Sequence, residues 1–194
     1  MRRLFVPFGV RVLTMFEPAS PPFVPHHIVI RGAADPWERE GALRLRREVF
    51  CEEQGLFTND DRDAYDEAAH TIVAVTLVMG ISEAVVGTVR IHQTAPRRWV
   101  GSRLAIPPEY RGVWGLGAGL VHRAVGTALA RGCDLFLATV QRQNVPFFRR
   151  LRWQSLEQVE VCGYPHMLMR ADLDAYEPCF EGSGGVPLTV RRAS

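Results

Sequence analysis

The stretch with the clearest chemical potential is the glycine-rich segment 103–132. A short apolar run, Leu104–Ile106, is followed by two prolines, an arginine and three alternating glycines, Gly115, Gly117 and Gly119. A helical pattern then begins. Bare glycines let a ligand approach the backbone, and the free N–H groups at a helix start point toward an anion. The segment therefore indicates either a phosphate-binding turn or a tight strand-to-helix connection without a ligand.

Acidic side chains and one late histidine are the candidates for moving protons. Glu53 lies at the end of the first predicted helix, and Asp63 lies in an acidic loop that spans residues 58–70. Paired carboxylates could hold an ammonium group and pass its proton to water. A solvated acidic loop that pairs with Arg62 is the alternative. His166 either faces a pocket or is a core histidine bonded to a carbonyl.

Composition limits the possible classes of protein. The chain has 194 residues, of which 47% are hydrophobic, which suits one well-buried core with tails. A net charge of +2 argues against a general attraction to nucleic acid. Four dispersed cysteines indicate neither a disulfide framework nor a metal site, and no apolar run is long enough to span a membrane. We expect a cytoplasmic protein with no metal, no nucleic-acid partner and no membrane partner.

The hydrophobic patterns predict alternating strands and helices. Residues 1–25 read as an extended N-terminal tail, residues 26–175 as a single domain and residues 176–194 as a loose tail. Asp35, Pro36 and Glu38 resemble a capping box at a helix start. The predicted strands are 28–31, 71–79, 84–92, 99–106, 135–141, 154–161 and 166–173. The predicted helices are 36–50, the segment from the glycines to Gly132, and 145–151. This order favours an α/β (α+β) fold with a mixed sheet and helices on its faces.

Several motifs together resemble the GNAT superfamily of acyl-CoA-dependent N-acyltransferases. RLAI followed by the glycine loop is similar to that family's acyl-CoA pyrophosphate segment, and NVPFFRRLRW (144–153) is similar to its later block. LRREVFCEEQGLF, the acidic loop, VVGTVRI and the pair Pro165-His166 resemble the ElaA-type acetyltransferases. The first helix and acidic loop also resemble those of acyl-homoserine-lactone synthases. The resemblance covers residues 28–173.

The resemblance implies a mostly antiparallel sheet that is splayed in the middle, with acyl-CoA, most simply acetyl-CoA, in the gap. The strand residues would line the pantetheine arm, with the N–H of Ala105 or Ile106 as oxyanion donor. The glycine loop would hold the pyrophosphate, and two later residues would flank the far side. The implied cofactor-binding residues are Leu104, Ala105, Ile106, Arg111, Gly112, Val113, Gly115, Leu116, Gly117, Ala118, Asn144 and Phe148.

The same resemblance ranks the catalytic candidates. Glu53 is the first choice as base because the similar segment faces the cleft in related folds; Asp63 is second, and His166 matches the Pro-His pair. For Arg90, inside a strand, we expect an ion pair with Asp63 or Asp66. The implied partners are a small-molecule amine acceptor and, as in many relatives, a second copy of the chain. A CoA-binding module without catalysis and an enzyme with longer acyl donors remain alternatives.

Three residues depart from the family pattern. The spacing from Arg111 to Gly115 is one residue too long, so either the loop bulges at Trp114 or Gly112 takes the usual arginine position. Phe148 stands where many relatives have a tyrosine that protonates the leaving thiolate. Arg152 replaces the usual glycine before Trp153. The longer spacing leaves the geometry of the glycine loop undetermined. Phe148 leaves the identity of the general acid undetermined.

Overall fold

Strands and helices alternate along the chain as the sequence predicts. The computed structural model describes residues 27–180 and 185–189, so the predicted N-terminal tail, residues 1–25, lies outside the described part. The strands are β1 (His27–Gly32), β2 (His70–Val78), β3 (Ile81–Ala95), β4 (Arg98–Ala105), β5 (Leu135–Gln141), β6 (Trp153–Val161), β7 (Tyr164–Ala171) and β8 (Val186–Thr189). The helices are α1 (Pro36–Arg47), α2 (Leu116–Ala130) and α3 (Val145–Arg150).

One sheet of eight strands, in the order β6-β7-β5-β4-β3-β2-β1-β8, carries the fold. Its pairs are antiparallel except β4 and β5, which run parallel. Side chains alternate between the faces of a strand. Ile72 in β2 therefore packs in the core with α2, whereas Val73 packs on the opposite face with Ala42 of α1. The helices cover both faces, as the sequence predicts.

The start of α1 follows its predicted capping pattern. The carboxylate of Glu38 accepts hydrogen bonds from the backbone N–H groups of Ala34 (2.7 Å) and Asp35 (3.1 Å) and also binds Arg31. Trp37 shares the four-residue spacing of buried Gly41 and Leu45, but it is 37% exposed. The helix continues beyond the predicted end at residue 50 as a π-helical turn, Glu48–Glu53. This extra turn carries Glu53 toward the centre of the sheet.

The outer face of α2 differs from its predicted exposure. The sequence pattern places Arg123 and Thr127 in solvent, but both are buried, at 7% exposed each. The segment that follows β7 covers this face: the Cys179 N–H donates to the Gly126 carbonyl (2.8 Å), and the Tyr176 ring packs on His122. A pattern within α2 carries no information about such a distant segment. None of the described helices is long and apolar enough to cross a membrane.

The C-terminal region is more ordered than the predicted loose tail. Residues Val186–Thr189 form β8, which pairs antiparallel with β1 from His27↔Thr189 to Ile30↔Val186. Leu188 packs against the main core, close to Gly115 and Gly119 at the start of α2. The chain therefore adds a strand at the β1 edge, next to the glycine loop.

Arg152, at the α3–β6 turn, explains why a glycine is usual at this position. Its φ of 66° lies in the left-handed region, which costs a non-glycine residue about 1–2 kcal/mol. Its side chain is 73% exposed and reaches Asp172 only at 3.6 Å. The strain is therefore barely offset by contacts.

We expect Arg152→Gly to raise the free energy of unfolding by about 0.5–1 kcal/mol, because glycine adopts positive φ freely but loses more chain entropy on folding. Urea denaturation followed by circular dichroism measures this change. The control is Arg150→Gly in the exposed last turn of α3, where glycine should lower stability. A loss of stability in Arg152→Gly would contradict the strain at this turn.

Candidate active site

The sheet opens in its middle, between β4 and β5. The two strands pair from Arg98↔Leu135 to Gly101↔Ala138, and their pairing ends there. Beyond that point β4 contains a bulge, because Ser102 pairs with Arg90 and Ala105 with Thr88. Arg103, within the bulge, has φ 56°. A bulge bends its strand and redirects its side chains, so β4 turns away from β5 and leaves a gap.

A cleft of about 1190 Å³ lies over this gap. Its walls come from the π-helical turn, β4, the glycine loop, the end of β5, the start of α3 and the start of β7. Eleven of the twelve predicted cofactor-binding residues line it: Leu104, Ala105, Ile106, Arg111, Gly112, Val113, Gly115, Gly117, Ala118, Asn144 and Phe148. Leu116 is the exception, because its side chain is 1% exposed and packs in the core.

The glycine loop forms a tight turn into α2. Gly115 is the N-cap residue with φ 83°, and its carbonyl accepts the Gly119 N–H at 2.7 Å. The Leu116 N–H donates to the Val113 carbonyl, so Leu116 contributes neither its side chain nor this N–H to the cleft. Gly117 and Ala118 follow in the first helical turn, whose N–H groups have no intrahelical partner. The turn has the form of an anion site.

Trp114 accounts for the extra residue in the loop. Its side chain is 79% exposed and borders the cleft at its rim. The loop thus carries the additional residue outward, in agreement with a bulge at Trp114, and Arg111 still faces the cleft.

Gly117 lies where any side chain would narrow the cleft. A Cβ atom there would be 3.3 Å from the Phe147 ring and 3.6 Å from Ile106. The cleft therefore needs glycine at this position to remain open between α2 and α3.

Glu53 lines the cleft, but its carboxylate is occupied. It forms a two-point ion pair with Arg111, at 2.7 Å and 2.6 Å, and Arg111 also donates to the Ile106 carbonyl. The hydrogen bonds from Arg111 hold the pKa of Glu53 below its ordinary value, which weakens it as a base. Glu53 and Arg111 together link the π-helical turn to the glycine loop.

His166 lies in the wall of the cleft, beside the splayed end of β5. It is 8% exposed and pairs with Gln141 across β5 and β7. Its Nδ1–H donates to the Tyr164 carbonyl at 2.9 Å, because a carbonyl can only accept. In the neutral ring this bond leaves the Nε2 lone pair free to take a proton.

Tyr164 and three glutamines are cleft residues that the sequence reasoning missed. Tyr164 is 50% exposed and is the one tyrosine among the described residues that line the cleft. Gln143 donates to Gln141 (2.9 Å), which donates to Gln54 (2.8 Å), so amides connect the end of β5 to the π-helical turn. No local motif marks these residues. The β5–β7 pairing places Gln141 near the start of β7, whereas Gln54 and Gln143 lie outside the strands.

Phe148 occupies an apolar position. It is 7% exposed, and its ring meets the Phe147 and Trp153 rings nearly at right angles, with centroid distances of 5.4 Å and 5.1 Å. Its surroundings are those of a packed aromatic cluster. Any proton donor to a leaving group must come from another part of the cleft.

Asp63 lies in a partly buried ion network, outside the lining of the cleft, and its own side chain is 33% exposed. Its carboxylate binds Arg90 through two hydrogen bonds, at 2.6 Å and 2.8 Å, and Arg103 at 3.2 Å. Asp66 also reaches Arg90, which confirms the expected pairing of Arg90 with Asp63 and Asp66. These contacts give Asp63 a structural partner for both oxygens and favour a positioning role over proton transfer.

The other half of the network is more deeply buried. Arg46 of α1, 2% exposed, binds Asp61 at 2.8 Å and Asp66 at 2.6 Å. Asp61 also accepts from Arg103 in the β4 bulge, at 2.9 Å. We call the set Arg46, Asp61, Asp63, Asp66, Arg90 and Arg103 the arginine–aspartate network. This network anchors the acidic loop to α1, β3 and β4. Three carboxylates of the loop therefore bind arginines and are not available to an ammonium substrate.

The network makes stability depend on pH. Hydrogen bonds from Arg90 lower the pKa of Asp63. Burial alone would raise the pKa of Asp66, but the hydrogen bonds from Arg46 and the Asp63 N–H outweigh it and hold that pKa well below the usual range. The stabilisation by both carboxylates is therefore complete above the ordinary aspartate pKa and is lost as the pH falls through their lowered values.

Asp61→Asn should lower the free energy of unfolding by about 3 kcal/mol at pH 7, because it leaves buried Arg46 without its full charge partner. The matched control is Asp60→Asn, one residue earlier, where the side chain is 52% exposed and 3.5 Å from Arg62; exposed pairs contribute about 0–1 kcal/mol. Urea unfolding measures both. Equal effects of the two changes would contradict the structural role of Asp61.

Comparisons with known proteins agree on the fold. A model of the acetyltransferase (GNAT) family matches residues 37–152, more than half of the chain. No curated protein sequence matches the chain. Among solved structures, the chain is similar to a Lactobacillus plantarum protein provisionally named an N-acetyltransferase, with 23% identity, a TM-score of 0.67, and coverage of 75% of this chain and 98% of the other.

Two further structures share the fold. Escherichia coli ElaA has 20% identity and a TM-score of 0.63, with coverage of 75% of this chain and 99% of ElaA. The acyl-homoserine lactone synthase BjaI, described with SAM and isopentyl-CoA, has 20% identity and a TM-score of 0.60, with coverage of 75% and 83%. At these identities the likeness shows the fold alone.

Proposed function

The chain belongs to the GNAT family of acetyltransferases, and from that premise we propose that it moves an acyl group from acyl-CoA to the amine of a small-molecule acceptor. The observation that carries the proposal is the continuous cleft from the glycine loop, along the splayed end of β4, to His166. Such a cleft can hold a phosphate at one end and a reacting carbonyl at the other. The length and course of the cleft therefore support acyl transfer from acyl-CoA.

In this proposal acyl-CoA lies along the cleft. The first-turn N–H groups of α2, together with Arg111, bind the pyrophosphate. Residues Leu104–Ile106 have lost β5 as a partner, so their backbone can pair with the amide groups of the pantetheine arm, as it would with an added strand. Asn144 and Phe148 flank the opposite wall.

The reaction is direct attack in a ternary complex. The acceptor nitrogen forms a bond to the thioester carbonyl carbon, the C–S bond breaks, and CoA leaves as a thiolate. The N–H of Ala105 or Ile106 at the end of β4 stabilises the oxyanion. His166 takes the amine proton at Nε2, because its Nδ1–H is engaged with Tyr164. The Tyr164 hydroxyl supplies a proton to the thiolate in place of the absent tyrosine at position 148.

Glu53 and Asp63 act indirectly in this proposal. Glu53 holds Arg111 by a two-point ion pair and so orients the loop arginine before CoA binds. Asp63 fixes Arg90 and Arg103 and thereby the bulge of β4. With three acidic-loop carboxylates bound to arginines, the loop offers less attraction to a cationic acceptor than its sequence indicates. The acceptor amine would therefore be recognised in its neutral form near His166.

A second candidate is a CoA-binding module without catalysis. The observation that favours it is Phe148, buried in an aromatic cluster where relatives commonly carry a proton donor. Thiol release from acetyl-CoA across a panel of primary amines separates the two functions. Turnover with any amine supports the enzyme, whereas CoA binding without turnover across the panel supports the module.

Gly117→Val should weaken CoA binding by roughly tenfold or more, because the new side chain fills the narrow space beside Phe147 and Ile106. Isothermal titration calorimetry with CoA measures the affinity. The matched control is Gly32→Val at the end of β1, where a Cβ meets nothing within 4 Å. Unchanged CoA affinity in Gly117→Val, with the native fold retained, would refute the loop assignment.

Tyr164→Phe should lower kcat, since it removes the proposed proton donor to the leaving thiolate.

His166→Gln should lower kcat by about 10²–10⁴-fold while CoA affinity stays at the wild-type value, because the amide cannot accept the amine proton. Steady-state rates with the best amine of the panel, together with CoA calorimetry, give both readouts. The control is His122→Gln on α2, which packs on Tyr176 away from the cleft. Full activity in His166→Gln would remove this histidine from the mechanism.

A further inference from the structure

A second cavity, of about 330 Å³, extends from the cleft through the splay into the core. Leu104, Phe148 and His166 line both spaces, so the second cavity begins where the thioester would react. We call it the inner cavity. Its far wall is formed by Val121 and Ala124 of α2, by Phe136 of β5 and by Trp153 of β6, all of them buried.

The far wall of the inner cavity is apolar, although uncharged polar residues, among them Ser102, Thr139 and Gln141, also line the cavity. Among the described residues, no aspartate or glutamate lines it. Arg103 is its charged wall residue, but its guanidinium binds Asp61 and Asp63 and lies over the Phe57 ring at 4.7 Å. The Trp153 Nε1–H is bound by the Tyr176 hydroxyl at 2.9 Å, so the far wall offers no polar group from the indole.

An ammonium or a phosphate is disfavoured as occupant, because no carboxylate lines the inner cavity, the guanidinium of Arg103 is already paired, and burial of an unpaired charge is costly. Protein interiors rarely leave voids larger than a water molecule, whereas ligand pockets begin near 300 Å³ and are mainly hydrophobic. The inner cavity therefore has the size and lining of a pocket for a hydrocarbon group.

We propose that the inner cavity takes the alkyl chain of an acyl thioester longer than acetyl, with its carbonyl at the splayed end of β4, residues Leu104–Ile106, and its chain directed toward Ala124. The proposal rests on the acyl-CoA function proposed above and names its donor class. One methylene group needs about the ~30 Å³ that a water molecule takes in the liquid, so a chain of up to roughly ten carbons fits. An acetyl group would leave most of the inner cavity empty.

The test uses S-alkyl thioethers of CoA, which carry the chain but cannot react, so no acceptor is needed. Calorimetry compares CoA with its S-ethyl, S-hexyl, S-decyl and S-dodecyl derivatives on the 194-residue chain, so that the series extends past the roughly ten carbons that fit. Affinity should rise by about fourfold per methylene buried, until the chain fills the inner cavity. Equal affinities across the series, or affinities that fall with chain length, would overturn the proposal.

Two variants of the far wall locate the effect. Ala124→Leu fills the inner cavity and should remove the gain in affinity for S-hexyl-CoA. Val121→Ala enlarges the inner cavity and should move the chain length of highest affinity to a longer derivative. This second variant keeps the test decisive if leucine at position 124 disturbs folding. Preferences for chain length that stay the same in both folded variants would contradict this location.

The same series separates the two levels of the proposal. Wild-type chain that binds CoA and S-ethyl-CoA but gains nothing from longer chains overturns the inner-cavity proposal and leaves the acyltransferase function intact. Wild-type chain that binds no member of the series contradicts the acyl-CoA function itself. Acyl transfer from hexanoyl-CoA faster than from acetyl-CoA, once an acceptor amine is found, supports both.

Discussion

The arginine–aspartate network is the interaction on which the geometry of the site depends. It joins α1, the acidic loop, β3 and the bulge of β4 through charged groups that are largely withdrawn from water. Each charged group in it has two partners of opposite charge, so removal of one group leaves two others with half of their pairing and weakens the network as a whole. Because Arg103 lies within the bulge, the network also fixes the place where β4 leaves β5. The splay, and with it both cavities, follows from this constraint.

The cleft divides its tasks between two kinds of structure. In the proposed function, phosphate recognition depends on backbone geometry at the start of α2, where glycines keep the surface bare and the additional residue, Trp114, lies outward. Proton transfer would instead depend on side chains at the β5–β7 pair, above all His166. The splayed end of β4 runs between these two ends of the cleft, so its bend contributes to the distance between them.

Local patterns made most of the fold predictable from the sequence. The capping residues of α1, the helical pattern that runs from the glycines to Gly132 and the strand pattern of residues 135–141 each report on their own surroundings, and the structure confirms them. Contacts between residues far apart in the chain could not be predicted from these local patterns. The burial of Arg123 depends on a segment some fifty residues later. The approach of Tyr164 to the cleft depends on strand pairing. The exposure of Trp37 shows that helical spacing alone does not decide whether a residue near the start of a helix is buried.

The pairing of β8 with β1 joins the two ends of the described chain. Contacts between residues so far apart in sequence close late, because the entropy of the intervening chain must be overcome first. The outer edge of β1 stays uncovered until residues 186–189 have been synthesised and have paired with it. Since Leu188 also packs beside Gly115, the start of α2 gains this support in the same step. A nascent chain that has not yet reached β8 would therefore expose an unpaired strand edge and an unsupported turn.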